Sequence, residues 1–557
     1  MTRILIIASL LLLAACGSDT PPPSTEITSS PEEMKEKTTA YIRESLDYAG
    51  KHDGVLNDSF RLWQSAMLPA LYETSGYGML WSDPEKRKPI ADSMLQFIRH
   101  AKYHALLPED YHLNELQLID SLYRADSLSE GARRDAALLG RADILLSDAF
   151  VRMVNHLRWG RLPDDSVSQR VAAPTAAFYA EQWQKFQREG SLSRLATELE
   201  PADTVYRAFK KALQRFLDES DQRVFTEVPL PGKNTDSATL RRQLVLRLQE
   251  EDWLASENPD PDSATLAAAV KRFQESKGLT ADGVAGSGTI RMLNLTDGEK
   301  FIRAAMAADR YKLLPSKMPE RYLWVNLPSY YMRLIENDSV KLVSKIICGR
   351  QKTRTPLLNS SISEMITYPQ WTVPTSIIVK EMLPAAKRDP GYFAKKGFSL
   401  LDSEGNEVDP YSVEWSKYSK GIPYRVVQGS GDANALGIMK FNFGNKYAVY
   451  LHDTNQRSLF GLTSRSLSHG CVRVQSWEGL MWDILKHDSM QANSGRYVPA
   501  DSVRSWLGRK EKKVITVRNR LPLYIRYFTC EAKDGKLMFY DDIYGEDARI
   551  RPLYARK

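Results

Sequence analysis

The chain has only four cysteines in 557 residues, Cys16, Cys348, Cys471 and Cys530. That is too few for a disulfide-dense scaffold, so any that matter do so by chemistry or modification. Long apolar runs are missing as well. The stretch Ile4 to Ala15, broken only by Ser9, is shorter than the ~20 residues a membrane-spanning helix needs. Nor is there a large excess of one charge: 76 basic against 69 acidic residues leave +7. That balance is too mild and too evenly spread to make nucleic acid the leading partner. What is present, 43% hydrophobic and 26% charged residues, excludes wholesale disorder and an array of membrane spans. At ~150 residues per domain the length predicts roughly three to four folded units.

Met1-Thr2-Arg3 followed by the short apolar run reads as a secretory signal over residues 1–15. Leu13-Ala14-Ala15-Cys16-Gly17 resembles a bacterial lipobox. The resemblance implies cleavage before Cys16, a lipid on its thiol, and a periplasmic protein anchored to a bacterial membrane. The plain alternative is a signal peptide with an incidental cysteine. Residues 16–31, with Pro21-Pro22-Pro23 and many Ser and Thr, suit a semi-extended tether.

Residues 32–225 are rich in Ala, Leu, Glu, Arg and Gln at helical spacing and predict a helical scaffold domain without an obvious catalytic cluster. Its aromatic segments, around Tyr72 to Trp81, Tyr111 and Trp159, could line a groove, although packing of one helix on another explains them better. A break at Pro229 to Asn234 precedes a smaller module, residues 236–296. Helices are predicted over Leu240 to Leu248, Ala264 to Lys277 and Thr289 to Leu293. Val270-Lys271-Arg272-Phe273-Gln274, Gly278-Leu279, Asp282-Gly283 and Gly286 make this module resemble the three-helix peptidoglycan-binding domain of wall enzymes. The motif mainly holds a turn, and the glycines supply backbone angles that side chains forbid. From about 320 to 500 the text turns to Val-, Ile- and Tyr-rich runs, Tyr322 to Leu327, Tyr331 to Glu336, Lys341 to Cys348 and Tyr447 to His452, predicting a β-rich domain. Residues 378–433 lack that rhythm and are expected to form an inserted cap, and 501–557 a C-terminal β extension. The fold class is therefore multidomain α+β.

The chemistry concentrates in Tyr450-Leu451-His452-Asp453 and Ser468-His469-Gly470-Cys471-Val472-Arg473. In extended backbone alternate residues share a face, so Tyr450 pairs with His452, and Cys471 with Arg473, while Val472 and Val474 face the other way. Cysteine is a good nucleophile near neutral pH, and a nearby histidine can take and return its proton. Acyl transfer also needs oxyanion donors, for which the backbone amides of Gly470 and Cys471 are candidates.

A lone His followed by Ser-His-Gly-Cys-x-Arg is similar to the signature of L,D-transpeptidases of the YkuD type, a β-sandwich family that cross-links bacterial cell wall. Thr355-Pro356, Tyr368 to Pro374 and Asn434 to Phe441 resemble that family's supporting segments, and the whole arrangement resembles its large YcbB-like branch. The resemblance implies Cys471 as nucleophile, His452 as base, a tetrapeptide donor stem, a diaminopimelate amine as acceptor, susceptibility to carbapenems, and no cofactor or metal. With water as acceptor it implies carboxypeptidase activity. Tyr450, Asp453, Ser468, His469, Gly470 and Arg473 are the expected oxyanion and substrate-binding set. Asp453 stands where smaller members often carry Gly. His469 is expected to bond a backbone group and shape the loop, and Arg473 either to hold a stem carboxylate or to make a structural ion pair. Two readings compete. One is a zinc peptidase using His452, Asp453, His469 and Cys471, against which the His100 and His104 pair lacks the needed glutamate. The other is a non-catalytic lipoprotein that binds wall through the small module. Cys348 and Cys530 read as buried and inert.

Overall fold

The computed structural model describes residues 20–57, 60–125, 135–221, 223–232, 235–276, 281–490 and 497–555. The lipobox with Cys16 and the Gly278-Leu279 pair lie outside the described residues. Among those described, no helix is long and apolar enough to cross a membrane.

The N-terminal region is helical and organised around one helix, Ala136–Arg158, capped by Asp135 and buried on nearly every side. Two acids on it act as staples. Asp143 accepts from the backbone of Leu80 and Trp81 at 3.1 and 2.9 Å and from the Tyr72 hydroxyl at 2.7 Å. Asp148 accepts from Trp63 and Gln64 backbone amides and from His112. Tyr72, Trp81 and Tyr111 are fully buried and Trp159 nearly so, which makes them core residues and leaves no aromatic groove.

The small module consists of helices Ser237–Glu250, Ser263–Ser276 and Ser287–Leu293 around an apolar cluster that includes Val245, Leu248, Val270, Phe273 and Ile290. Buried Gln274 holds its turn. The amide nitrogen donates to Asp282, Val284 and Thr289, and the oxygen accepts from Gly283 at 2.9 Å, where φ is +74°.

The C-terminal half is built on nine strands: β1 Arg321–Asn326, β2 Tyr331–Glu336, β3 Ser339–Gly349, β4 Leu358–Thr367, β5 Met439–Phe443, β6 Leu451–His452, β7 Ser466–Ser468, β8 Val472–Val474 and β9 Lys513–Arg526. Their order is β7-β3-β8-β6-β5-β4-β9-β1-β2, and β2 also pairs with β3. The long β3 is thus paired along both edges, and the sheet closes into a ring of eight strands. The pairs β6/β8, β3/β7 and β1/β9 are parallel and the rest antiparallel. Alternation along each strand sends Leu451, Val472, Val474, Phe441 and Met365 into one core, each worth about 1.5–3 kcal/mol on full burial. The C-terminal segment, expected to add strands to the same sheet system, enters it as an interior strand, with β9 between β4 and β1.

The inserted unit also departs from expectation. It contains a four-stranded antiparallel sheet, ordered Trp371–Thr372, Arg425–Gln428, Phe398–Leu401, Glu407–Val408. It has its own core of Ile378, Met382, Leu383, Phe393, Leu400, Trp415 and Val426. Strands of two to four residues carry too few alternations to show as a period. The unit's edge strand lies before residue 378, where the pattern had placed its start.

A buried ionic cluster joins the two halves. Asp309, at the end of the helix Asp297–Tyr311, accepts from the Arg161 amide at 3.1 Å, Lys312 at 3.0 Å and the Tyr554 hydroxyl at 2.6 Å. Burial works against its charge, but Lys312 and Arg161 outweigh it and hold the carboxyl below its ordinary range. Lys312 also donates to the His156 carbonyl. Removing one partner of a buried pair leaves an uncompensated charge and costs about 3–5 kcal/mol. Asp309→Ala should therefore lower the urea midpoint clearly, whereas Asp501→Ala, at a solvent-exposed pair with Arg504, should stay within about 0.5 kcal/mol.

Candidate active site

The site lies on the face of the ring opposite the core. Parallel pairing of β6 with β8 sets Leu451 against Val472 and His452 against Arg473. One residue earlier, Tyr450 accordingly meets Cys471, and the Val472 amide donates to the Tyr450 carbonyl at 3.1 Å. Antiparallel pairing of β5 with β6 sets Lys440 against His452. Arg473, His452 and Lys440 thus form one row, with Cys471 and Tyr450 in the next.

Two side-chain hydroxyls hold the Cys471 loop. Ser468 Oγ donates to the Cys471 carbonyl at 2.6 Å and accepts from the Gly470 amide at 3.1 Å. Buried Thr355 donates to the Gly470 carbonyl at 2.8 Å and accepts from the Gly349 amide at 2.9 Å. Gly470 has φ +123°, a conformation open to glycine. This geometry corrects the expected oxyanion pair: Ser468 already takes the Gly470 N–H, while the Cys471 N–H donates to no protein acceptor among the described residues.

Burial pushes the Cys471 thiol up, and Tyr450, through its backbone and its phenol, then Lys440 and Arg473 pull it back in part. The Tyr450 phenol is itself raised by burial and by Cys471, and a bond from the Trp371 side chain opposes that rise. Trp371 belongs to the edge strand of the inserted unit, so that unit reaches the thiol's immediate surroundings. The Tyr450 and His452 rings meet edge to face at 5.6 Å. His452 is buried and its pKa falls to about 3, first because of burial and then because of Arg473, although backbone groups of Asp453 and Leu436 favour the charged form. Its Nδ1 makes no hydrogen bond of ordinary geometry. Its surroundings therefore favour the neutral imidazole at rest.

The remaining expected residues divide. Arg473 donates to Gln456 at 2.9 Å, its Nε is buried without a partner, and it forms no ion pair among the described residues. The structural ion pair considered for it is absent there. His469 meets a side chain instead of a backbone group: Nε2 lies 2.5 Å from Oε1 of Glu381, in the wide helical turn Ile378–Met382 of the inserted unit. Asp453, expected among the substrate-binding residues, points away from the site. It is fully buried, accepts from the Ile438 amide at 2.9 Å and from Arg457 at 2.6 and 3.2 Å, and fills the space that a side chain at Gly437 would need. Its carboxylate is committed to that turn. The sequence reading missed Trp371, Glu381 and Lys440 as site residues. For Lys440 the signal was available, since Lys440-Phe441-Asn442 alternates polar, apolar, polar. No group of three His, Cys, Asp or Glu among the described residues could hold a metal ion.

Residues 320–482 match the family model of the YkuD L,D-transpeptidase catalytic domain. The chain carries a YkuD-type catalytic domain. Residues 66–213 match a model described as "Scaffold domain" and residues 237–293 one described as "Putative peptidoglycan binding domain". A Haemophilus influenzae protein named "Putative L,D-transpeptidase" is 35% identical over 248 residues, 44% of this chain and 48% of that protein. The match thus spans about half of that relative's length. Among solved structures, L,D-transpeptidase 1 of Mycobacterium tuberculosis is 11% identical, covering 37% of this chain and 61% of that one with a TM-score of 0.13. An L,D-transpeptidase from Xylanimonas cellulosilytica is 14% identical, covering 55% of this chain and all of that one, with a TM-score of 0.15.

The phenol's bond to sulfur generates a prediction for the YkuD-type domain. Removing it in Tyr450→Phe should move the pH midpoint of Cys471 alkylation by iodoacetamide upward, because a donor to the thiolate is lost. Peptide mapping separates Cys471 from buried Cys348 and Cys530. An unchanged midpoint would remove Tyr450 from the thiol's electrostatics.

Proposed function

We propose that the protein is an L,D-transpeptidase that forms three-to-three cross-links in peptidoglycan through an acyl-enzyme on Cys471. The observation that carries this reading is the register of β6 and β8, which puts Cys471, Tyr450, His452 and Arg473 on one face outside the core.

The proposed reaction has two halves. His452 takes the thiol proton as sulfur attacks the carbonyl of the third residue of a tetrapeptide stem. The tetrahedral intermediate collapses, the C–N bond breaks, and the leaving D-alanine amine receives the proton from the imidazolium. A thioester remains. An amine of a neighbouring stem, the side-chain amine of diaminopimelate, then attacks the thioester. His452 accepts the proton of that amine, the C–S bond breaks, and the thiol is restored. Water in place of the amine gives the carboxypeptidase outcome. The unoccupied Cys471 N–H supports a role as oxyanion donor, where one donor is worth about 2.7–4 kcal/mol. Arg473, without an acidic partner, suits a stem carboxylate. The small module supplies wall attachment in this reading, and a lipid on Cys16 supplies a membrane anchor on the periplasmic side.

Cys471→Ala should abolish both thioester formation with a tetrapeptide and the covalent mass adduct with a carbapenem, leaving the melting temperature unchanged. His452→Ala should slow acylation at least 100-fold and His469→Ala far less; the reverse order would reassign the base. For the native chain, kcat/KM for acylation should rise from neutral to alkaline pH with no inflection near pH 6.5, because His452 stays neutral there. An acidic limb between pH 6 and 7 that His452→Ala removes would contradict a neutral resting base.

The anchor has its own check. Expression in an envelope-bearing host with a radiolabelled fatty acid should label the native chain and not Cys16→Ser; equal labelling would exclude Cys16 as the lipidated residue.

A further inference from the structure

Beyond Tyr450, the outer face of the ring carries an unexplained pair of charges. Lys440 lies opposite Ile366, and Asn442 opposite Glu364, in the β5/β4 ladder. Lys440 and Glu364 are therefore diagonal neighbours on one face, roughly 7–8 Å apart at their origins, within reach of a salt bridge between long side chains. They do not form one. The Lys440 ammonium lies over the Tyr450 ring at 4.1 Å from its centroid, and Glu364 accepts the Asn442 amide at 2.7 Å. Neither makes an ion pair among the described residues, and both are half-buried, so neither is simply part of a solvated surface. Two opposite charges on one partly buried face are thus each held by an uncharged neighbour, Tyr450 and Asn442, and not by one another.

We propose that Lys440 and Glu364 form a subsite for a zwitterionic amino-acid head, an ammonium and a carboxylate on one carbon, at the far end of the donor residue's side chain. The subsite rests on the reading of Cys471 as the nucleophile. Lys440 and the Asn442 amide meet the carboxylate, and Glu364 meets the ammonium. The reach agrees. β5 lies two strands from β8 and β4 three, or about 10 and 14 Å at the usual strand spacing, so the Glu364 side chain must lean back toward β5, where it already meets Asn442. In a thioester of diaminopimelate the distal head is seven bonds from sulfur, about 9 Å when extended. A half-buried site built to pair both charges rejects a donor lacking either one, because it leaves the other partner unpaired. This subsite makes diaminopimelate, and not lysine, the preferred third residue of the donor.

The test uses four synthetic tetrapeptides whose third residue is diaminopimelate, lysine, 2-aminopimelate or 2-aminohexanoate, which carry both distal groups, the amine alone, the carboxylate alone or neither. Binding is measured by calorimetry on the full chain bearing Cys471→Ala, and thioester formation by intact mass on the native chain. The diaminopimelate donor should bind at least 10-fold more tightly than either singly truncated donor. Adding Lys440→Met should erase the advantage of the carboxylate while keeping that of the amine, Glu364→Gln should do the opposite, and Lys440→Arg should restore most of the loss. The donor with neither group should bind all variants alike. Equal weakening of all four donors by Lys440→Met, or no discrimination between diaminopimelate and lysine by the parent, would overturn the subsite. Discrimination that persists while the native chain forms no thioester would instead overturn the nucleophile and leave the subsite standing.

Discussion

The parallel pairing of two very short strands, Leu451–His452 with Val472–Val474, is the constraint on which the site depends. Parallel register fixes which residue of one strand faces which residue of the other, and a slip by one position would send every side chain to the wrong face. Leu451, Val472 and Val474 are fully buried, so a slip of β8 would bury Arg473 and expose two apolar side chains, and a slip of β6 would put His452 in the place of Leu451. The burial of three aliphatic residues thereby secures the position of a thiol, a phenol and an imidazole that contribute little to stability themselves. Ser468 and Thr355 then fix the backbone on which the sulfur rides.

The electrostatics favour a resting state with both partners neutral. Burial disfavours thiolate and imidazolium alike, so the ion pair found in many cysteine enzymes is not built in advance here. In the proposed reaction charge develops only once substrate is bound, beside the Cys471 amide and Arg473. The inserted unit contributes through Trp371 on Tyr450 and Glu381 on His469, one contact beside the Leu451–His452 strand and one on the Cys471 loop.

Much of this was legible in the chain itself. Alternation alone put Tyr450 with His452 and Cys471 with Arg473, and helical spacing found the scaffold and the small module. What stayed hidden has a common physical origin. The Gly470 amide was expected to be free, but a serine hydroxyl two residues earlier takes it, a bond that no spacing rule reveals. His469 finds Glu381, 88 residues away in sequence, and only the fold brings the two together. Asp453 follows His452 directly, and alternation should have turned it away from the site; its membership in the motif weighed more than the strand geometry. The short strands of the insertion escaped because two to four residues cannot display a period. Lys440 falls within Asn434 to Phe441, a segment that resembles the family's supporting text, yet its place beside Tyr450 depends on the register of a third strand.

The closure of the large sheet has a consequence for how an extended ligand is read. Many proteins capture a peptide by letting it join a sheet as one more strand, its main chain bonded to a free rim. In the eight-stranded ring each member already has neighbours on both flanks, so that mode has no place to start on the ring's own strands, and the three-residue end strand β7, outside the ring, keeps one flank. A guest on its outer surface must lie across the strands, recognised by side chains projecting from several of them. Selectivity for such a guest is written in the spacing between strands, about 4.8 Å a step, and in the chemical character of each projecting group.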